Sequence, residues 1–319
     1  MESNLMEIMP DEEEVIPTDV VASSRSNVNK YFIILLAIIA GLTAVYFLLS
    51  ATNLNFLKTT FAKDNHLFLW MVLAGFFAEL VAGSMGMGYG VICTSILLIL
   101  NIPPPIISAS IHSAESFTSA TGSISHYKLG NINMKLFKKL AIPAIIGAVI
   151  GALALSYLGE KYAKATKPIL SAYTMYLGIK ILMNAFSGNK ENGKFNVKKK
   201  KTNIPVIGLI GGFIDSFGGG GWGPLVTGTF IKNGRTPRYV IGSSTAAKCV
   251  LTVASAITFI FTIGIHHWNI VAGLLLGGIV TAPFSAMLTS KLPVKKMFLA
   301  VGIVVIICSL ITFYRAIFL

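Results

Sequence analysis

The sequence predicts an all-α, polytopic helical membrane protein built from two inverted repeats with broken or re-entrant helices. Three observations predict it. Of the 319 residues, 54% are hydrophobic and only 12% are charged. The mean hydropathy is +0.73, and a soluble domain with roughly 25% charged residues has a polar surface this chain lacks. Apolar runs long enough to enter a bilayer recur from Tyr31 onward, and the succession of long and short runs before residue 187 returns after residue 203.

The elements follow in order. Residues 1–29 hold Pro10 and Pro17, show no apolar period, and include a first twenty residues with seven of the thirteen acidic groups, so they read as a disordered cytoplasmic tail. Residues 30–52 contain the twenty-residue run Tyr31 to Ser50. It follows an acidic leader and exceeds a signal-peptide core, so it reads as a retained extra N-terminal span. The first repeat, 66–186, has apolar pieces at about 66–82, 89–100, 106–127, 138–158 and 168–186. A basic linker, 187–203, carries the Lys198 to Lys201 run, and the second repeat, 204–319, has pieces at about 204–219, 223–232, 237–263, 268–290 and 297–318.

The two halves match residue by residue at several points. Gly75-Phe76-Phe77-Ala78-Glu79 precedes one glycine cluster and Gly211-Gly212-Phe213-Ile214-Asp215 precedes the other. A proline opens the next long piece in each half, Pro105 and Pro237, the latter after Thr236 as an expected N-cap. The fourth piece carries GxxxG in each half, Gly147 to Gly151 and Gly273 to Gly277, a spacing that lets helix backbones approach closely in lipid.

Charge counting fixes the expected topology. If each short pair enters and returns as a hairpin, the loops divide lysine and arginine 18 to 5; if each pair crosses once, the division is 11 to 12. Only the first shows a positive-inside bias. Each five-piece half then makes an odd number of passes, so the halves are inverted, with the N-terminus cytoplasmic and the C-terminus outside. The same bookkeeping explains the net charge of +13 as topology, so nucleic acid is not an expected partner. Cys93, Cys249 and Cys308 sit singly in apolar pieces, without the paired spacing of a zinc or redox site.

The chemistry concentrates in two places. The clusters Gly83-Ser84-Met85-Gly86-Met87-Gly88-Tyr89-Gly90 and Gly218-Gly219-Gly220-Gly221-Trp222-Gly223-Pro224 each precede a short helix. The N–H groups at such helix ends are unpaired and attract anions. Lys248 is the other place, because it lies eleven residues into its helix, beyond easy reach of either interface, and requires a partner. Counting from Pro105 and Pro237 puts Glu115 at or next to the equivalent position. Ser108, His112, Glu115, Ser119, Gly122 or Ser123, and His126 form a polar stripe, answered by Ser244, Lys248, Thr252 and Ser255. A purely structural Glu115–Lys248 ion pair and a substrate- or proton-binding pair both fit that pattern. Glu79 and Asp215 stand where a carboxylate either accepts from unwound backbone or relays protons. His112 and Glu115, at i and i+3, begin a metal-ligand pattern for which the sequence shows no third donor, so neither metal nor cofactor is expected. His266 and His267 fall in a short outer loop and read as interfacial.

On the glycine clusters, the PPP and TP helix openings, the Ser108 to Ser110 stretch with its partner Gly242-Ser243-Ser244, and the halves around a basic linker, the chain resembles the sulfite exporter TauE/SafE family of membrane transporters. The resemblance covers about 66–315; its first cluster has Met85 and Met87 where a denser glycine run is usual, and no proline follows. It implies movement of small sulfur-containing anions, often outward. The expectation is a secondary transporter, an exporter of sulfite, organosulfonates or other small organic anions, in the cell membrane. Lys248, Glu115, Ser119, Ser244, Gly88, Tyr89, Gly221, Trp222 and Gly223 are expected to bind substrate, and Glu115, Glu79, Asp215 and His112 to serve a coupling proton; sodium is the other coupling ion considered, and a homo-oligomer is a further expectation. No GxxxxGK[ST] motif occurs, so gradients must drive transport. The alternatives are an anion channel on the same fold, a membrane scaffold or sensor without transport, and an intramembrane enzyme with His112 and Glu115 as its candidate groups.

Overall fold

The computed structural model describes residues 67–85, 87–187, 202–264, 267–288 and 294–318. The expected tail and extra span, most of the basic linker, Gly86 and His266 lie outside the described residues. The described helices belong to the compact unit Asp64–Leu319. They are α1 (Leu67–Met85), α2 (Tyr89–Ile99), α3 (Pro104–Lys128), α4 (Met134–Lys161), α5 (Ala163–Ser187), α6 (Ile204–Gly218), a π-helical turn (Gly223–Thr227) running into α7 (Gly228–Lys232), α8 (Pro237–Ile263), α9 (Trp268–Leu288) and α10 (Val294–Phe318). The described residues include no strand. Met134–Gly159, Pro237–Ile263 and Leu299–Phe318 are long and apolar enough to cross a bilayer, and shorter apolar helices cover Leu67–Gly83, Tyr89–Ile99, Ile204–Gly218 and Trp268–Thr281. Trp70, Phe77, Ile142, Tyr157 and Phe261 are among many large apolar side chains left exposed, a surface suited to lipid and unsuited to water. The chain is an all-α, polytopic membrane protein.

Local chemistry explains the breaks. Both interruptions fall at glycine: Gly88 opens α2 at φ +113, and Gly219, Gly220 and Gly221 follow α6 at φ +68, +156 and +145, conformations that disfavour any residue with a Cβ. Pro104, after the N-cap Pro103, is the first residue of α3, with Pro105 second; Pro237 is the first of α8. Thr236 stands at the N-cap position of α8 as expected, but its side chain makes no capping hydrogen bond. The second short piece is not a single α-helix either, because Gly223–Thr227 is wound as a π turn before α7 begins.

Packing between the halves is reciprocal. α1 lies on α9 and α6 on α4, while α3 lies on α8 and α5 on α10. The two GxxxG pairs make the first two contacts. A Cβ on Gly147 would stand 2.9 Å from Leu209 C and Phe213 N of α6, and one on Gly277 would stand 2.7 Å from Phe76 N of α1. Small residues here allow backbone-to-backbone contact where side-chain burial alone provides no hydrophobic drive in lipid. Directions can be read from the partners. Gly273 faces Phe68 and Met71 while Gly277 faces Val72 and Phe76, so α1 and α9 run parallel. Gly122 and Ser123 of α3 meet Thr245 near the start of α8, and Ser119 meets Thr252 further on, so α3 and α8 run antiparallel. So do α5 and α10, where Thr174 pairs with Ser309 at 2.8 Å and Gly302 faces Gly178 and Leu182.

Candidate functional site

The two glycine stretches cross in direct backbone contact. A Cβ on Gly90 would stand 2.5 Å from Gly219 O and 2.7 Å from Gly220 Cα, and one on Gly220 would stand 2.6 Å from Gly90 C and Val91 N. Two side chains hold the unwound carbonyls. Thr94 Oγ1 on α2 donates to Gly219 O at 2.8 Å, and the Tyr173 hydroxyl on α5 donates to Gly220 O at 2.7 Å. Neither residue stands out in the sequence. Thr94 sits one turn into α2, and Tyr173 is one hydroxyl-bearing aromatic among several; only the chain crossing identifies them.

Beside the crossing, the Lys248 ammonium is ion-paired with Glu115 Oε1. Their side chains are 14% and 4% exposed, so two opposite charges are held together away from bulk solvent. The pairing arises because α3 and α8 run antiparallel with their polar stripes facing. Ser119 lies in the same seam, donating to Glu115 O at 2.6 Å and facing Thr252 Oγ1 at 3.4 Å.

Asp215, the last acidic residue before the second glycine cluster, is fully buried. Its Oδ1 accepts the Trp222 backbone N–H at 2.7 Å, which corrects one expectation. At this helix start the backbone donor is taken by the protein's own carboxylate, so it is not free for an anion. Ser244 and Trp222 likewise answer each other: Trp222 Nε1 donates to Ser244 Oγ at 2.8 Å, and Ser244 Oγ lies 2.6 Å from Thr227 Oγ1. Those two expected ligands are thus bonded to each other, and Gly221 and Gly223 are buried on either side of Trp222 in the chain. Tyr89, also buried, donates to Leu274 O at 3.3 Å, and Gly88 opens the first turn of α2, whose N–H groups the helix itself does not use. Glu79 is buried on α1 beside Thr118.

The structure supplies the third donor that the His112–Glu115 spacing lacked. One donor atom from each of His112, Glu115 and Asp215 lies within 4.8 Å of the others. His112, stacked on Phe259 with ring centroids 6.3 Å apart, places Nε2 3.2 Å from Asp215 O. Lys248 holds Glu115 at one edge of this group, so two carboxylates, an imidazole and an ammonium lie close together. A cavity of about 350 Å³ opens at the start of α3 and the end of α8, lined by Pro105, Ala109, Ser113, Ile260, Ile263 and His267 among others.

A family profile described as sulfite exporter TauE/SafE matches residues 71–312. The chain belongs to that family. Among curated proteins it is 37% identical to the "probable membrane transporter protein YtnM" of Bacillus subtilis over 233 residues, covering 72% of this chain and 76% of that one. It is 25% identical to the "probable membrane transporter protein YdhB" of the same organism, over 70% and 91% of the two chains. No solved structure matches it. Family and relatives agree on the coarse function: this TauE/SafE member is a membrane transporter, with a small-molecule substrate and a lipid bilayer as its surroundings.

Proposed function

We propose that the chain is a secondary transporter of small sulfur-containing or organic anions, sulfite and organosulfonates among them, that moves them outward by gradient-driven alternating access. The observation that carries this reading is a mid-helix lysine, Lys248, held by Glu115 beside two crossing unwound backbones. A buried ammonium with a displaceable carboxylate partner is an anion receptor that stays neutral while empty. An arriving oxyanion takes the ammonium, with the first turn of α2 as a further donor and Ser119, once it turns from the Glu115 carbonyl, as another, and Glu115 is released. The two halves, 66–186 and 204–319, form an inverted pair in this reading. The antiparallel courses of α3 against α8 and α5 against α10 support it, as does the reciprocal packing of α1 on α9 and α6 on α4. Such a pair rocks about a site near the midplane, and its charged loops face the cytoplasm. The family's description as sulfite exporters supports outward movement.

Reconstituted vesicles test the reading. Vesicles loaded with unlabelled sulfite, thiosulfate, methanesulfonate or acetate are given a trace of the same labelled anion outside. Transient accumulation of label for a sulfur oxyanion, saturable and greater than for acetate, is the expected result. Label that only equilibrates, with a flux linear in concentration, identifies a channel and overturns the transporter mechanism.

A further inference from the structure

The cluster around Asp215 keeps more unpartnered polar atoms than an inert core holds. Asp215 Oδ2, Glu115 Oε2, His112 Nδ1 and Ser108 Oγ are all buried without a hydrogen-bond partner. Each such atom costs about 1–3 kcal/mol if left dry, so unpartnered atoms on three residues gathered in one cluster point to an occupant. One donor atom of each of His112, Glu115 and Asp215 lies within 4.8 Å of the others. Three points no farther apart than that share a centre within about 2.8 Å of each, a hydrogen-bond length.

Charge identifies the occupant. Within the three-residue cluster Glu115 and Lys248 cancel, which leaves the Asp215 carboxylate as one uncompensated negative charge; Glu79, the other buried carboxylate nearby, is held by Thr118 on α3. A single positive charge closes the balance. An alkali cation takes oxygen ligands, yet one of the three residues offers an imidazole nitrogen. A divalent metal ion leaves surplus positive charge against the Lys248 ammonium. A proton meets both conditions. The Asp215 carbonyl can only accept, so His112 donates through Nε2–H and the neutral ring presents Nδ1 as a base. A proton on Nδ1 or on Asp215 Oδ2 converts an acceptor into a donor, and one water within the cluster would link it to the Glu115 carboxylate.

We propose that His112, Asp215 and Glu115 hold one exchangeable proton, and that this proton is the coupling ion of the transport cycle. The assignment rests on the anion-transport reading above. When an anion takes the Lys248 ammonium, Glu115 loses its counter-charge and accepts the proton from His112 or Asp215. Only an O–H or N–H bond changes, and one anion and one proton cross together. Outward movement then needs an outward anion gradient steep enough to carry the proton along. The other titratable groups facing the cluster are Glu79 on α1, Tyr89 and Cys93 on α2, Tyr173 on α5 and Lys248 on α8. Tyr89 and Tyr173 direct their hydroxyl protons at Leu274 O and Gly220 O, and Lys248 is committed to Glu115.

Labelled methanesulfonate, whose charge does not change near neutral pH, makes a clean probe. In voltage-clamped vesicles with the lumen one pH unit more alkaline, one-to-one coupling sustains about tenfold accumulation, since 1.4 kcal/mol is a factor of ten. A lumenal pH dye is expected to report acidification in step with uptake. Asp215→Asn keeps the oxygen that receives the Trp222 N–H, and His112→Gln keeps an N–H donor, so both are expected to fold. In both, accumulation under the pH gradient is expected to fall to a ratio near one and the lumenal acidification that accompanies uptake is expected to disappear. Full pH-driven accumulation in both variants, or wild-type accumulation driven by a sodium gradient or dependent on added zinc or manganese, overturns the assignment. Exchange in the wild type without pH coupling overturns the proton alone, whereas no exchange of any anion overturns the transport reading beneath it.

Discussion

Replacing Lys248 with methionine is expected to abolish anion exchange and to lower the stability of the purified protein by about 3–5 kcal/mol, the cost of leaving one member of a buried ion pair alone. Glu115→Gln is expected to destabilise similarly, for the opposite charge is then stranded. The double variant Glu115→Gln/Lys248→Met separates the two roles of the pair. Removing both charges together is expected to restore most of the lost stability, because an uncharged pair of similar volume is tolerated where a lone ion is not. Exchange is expected to remain absent, since the anion's receptor is gone. Thermal unfolding in detergent and exchange in vesicles read the two effects on the same preparations. A double variant that exchanges anion at the wild-type rate identifies the pair as structural only.

The second large effect is expected at the backbone crossing. Gly220 has φ +156, and a Cβ there would lie 2.6 Å from Gly90 C and Val91 N, atoms that move only with their helix. Gly220→Ala is therefore expected to cost about 1–3 kcal/mol from overpacking, with further strain at its φ, and to stop transport by forcing the unwound stretches apart. Gly130→Ala is the control. Gly130 also has positive φ, at +66, but a Cβ there would meet nothing within 4 Å, so only a modest stability loss and normal exchange are expected. Transport by Gly220→Ala at the wild-type rate, in well-folded protein, removes the crossing from the mechanism.

Much of this arrangement was legible because it depends on periodicity and spacing. The GxxxG pairs announced backbone contacts without naming the partners, and the structure supplies α6 for Gly147 and Gly151 and α1 for Gly273 and Gly277. Counting from two helix-opening prolines, to within one residue, was enough to bring Glu115 to Lys248. The contacts of Asp215 were less accessible. Its link to Trp222 spans seven residues through an unwound loop, and its approach to His112 spans 103; no helical period encodes either. Ser244 shows a different limit. Its place in a polar stripe was readable, but not that an indole N–H and the Thr227 hydroxyl would already occupy it. Residue type reveals which groups need partners, and chain crossing decides which partners they find.

The most direct test of two-sided access to the Glu115–Lys248 pair uses single cysteines on α3, with Cys93, Cys249 and Cys308 replaced. Ser113 lines the cavity at the start of the helix, whereas Ser123, buried near its other end, touches Thr245 O at 3.3 Å. Membrane-impermeant thiol reagents, applied from one side or the other, measure the exposure of Ser113→Cys and Ser123→Cys. The account predicts reciprocal labelling: conditions that expose one position protect the other, and saturating anion changes the balance between them. Simultaneous labelling of both positions from opposite sides in the same state, unaffected by anion, contradicts it.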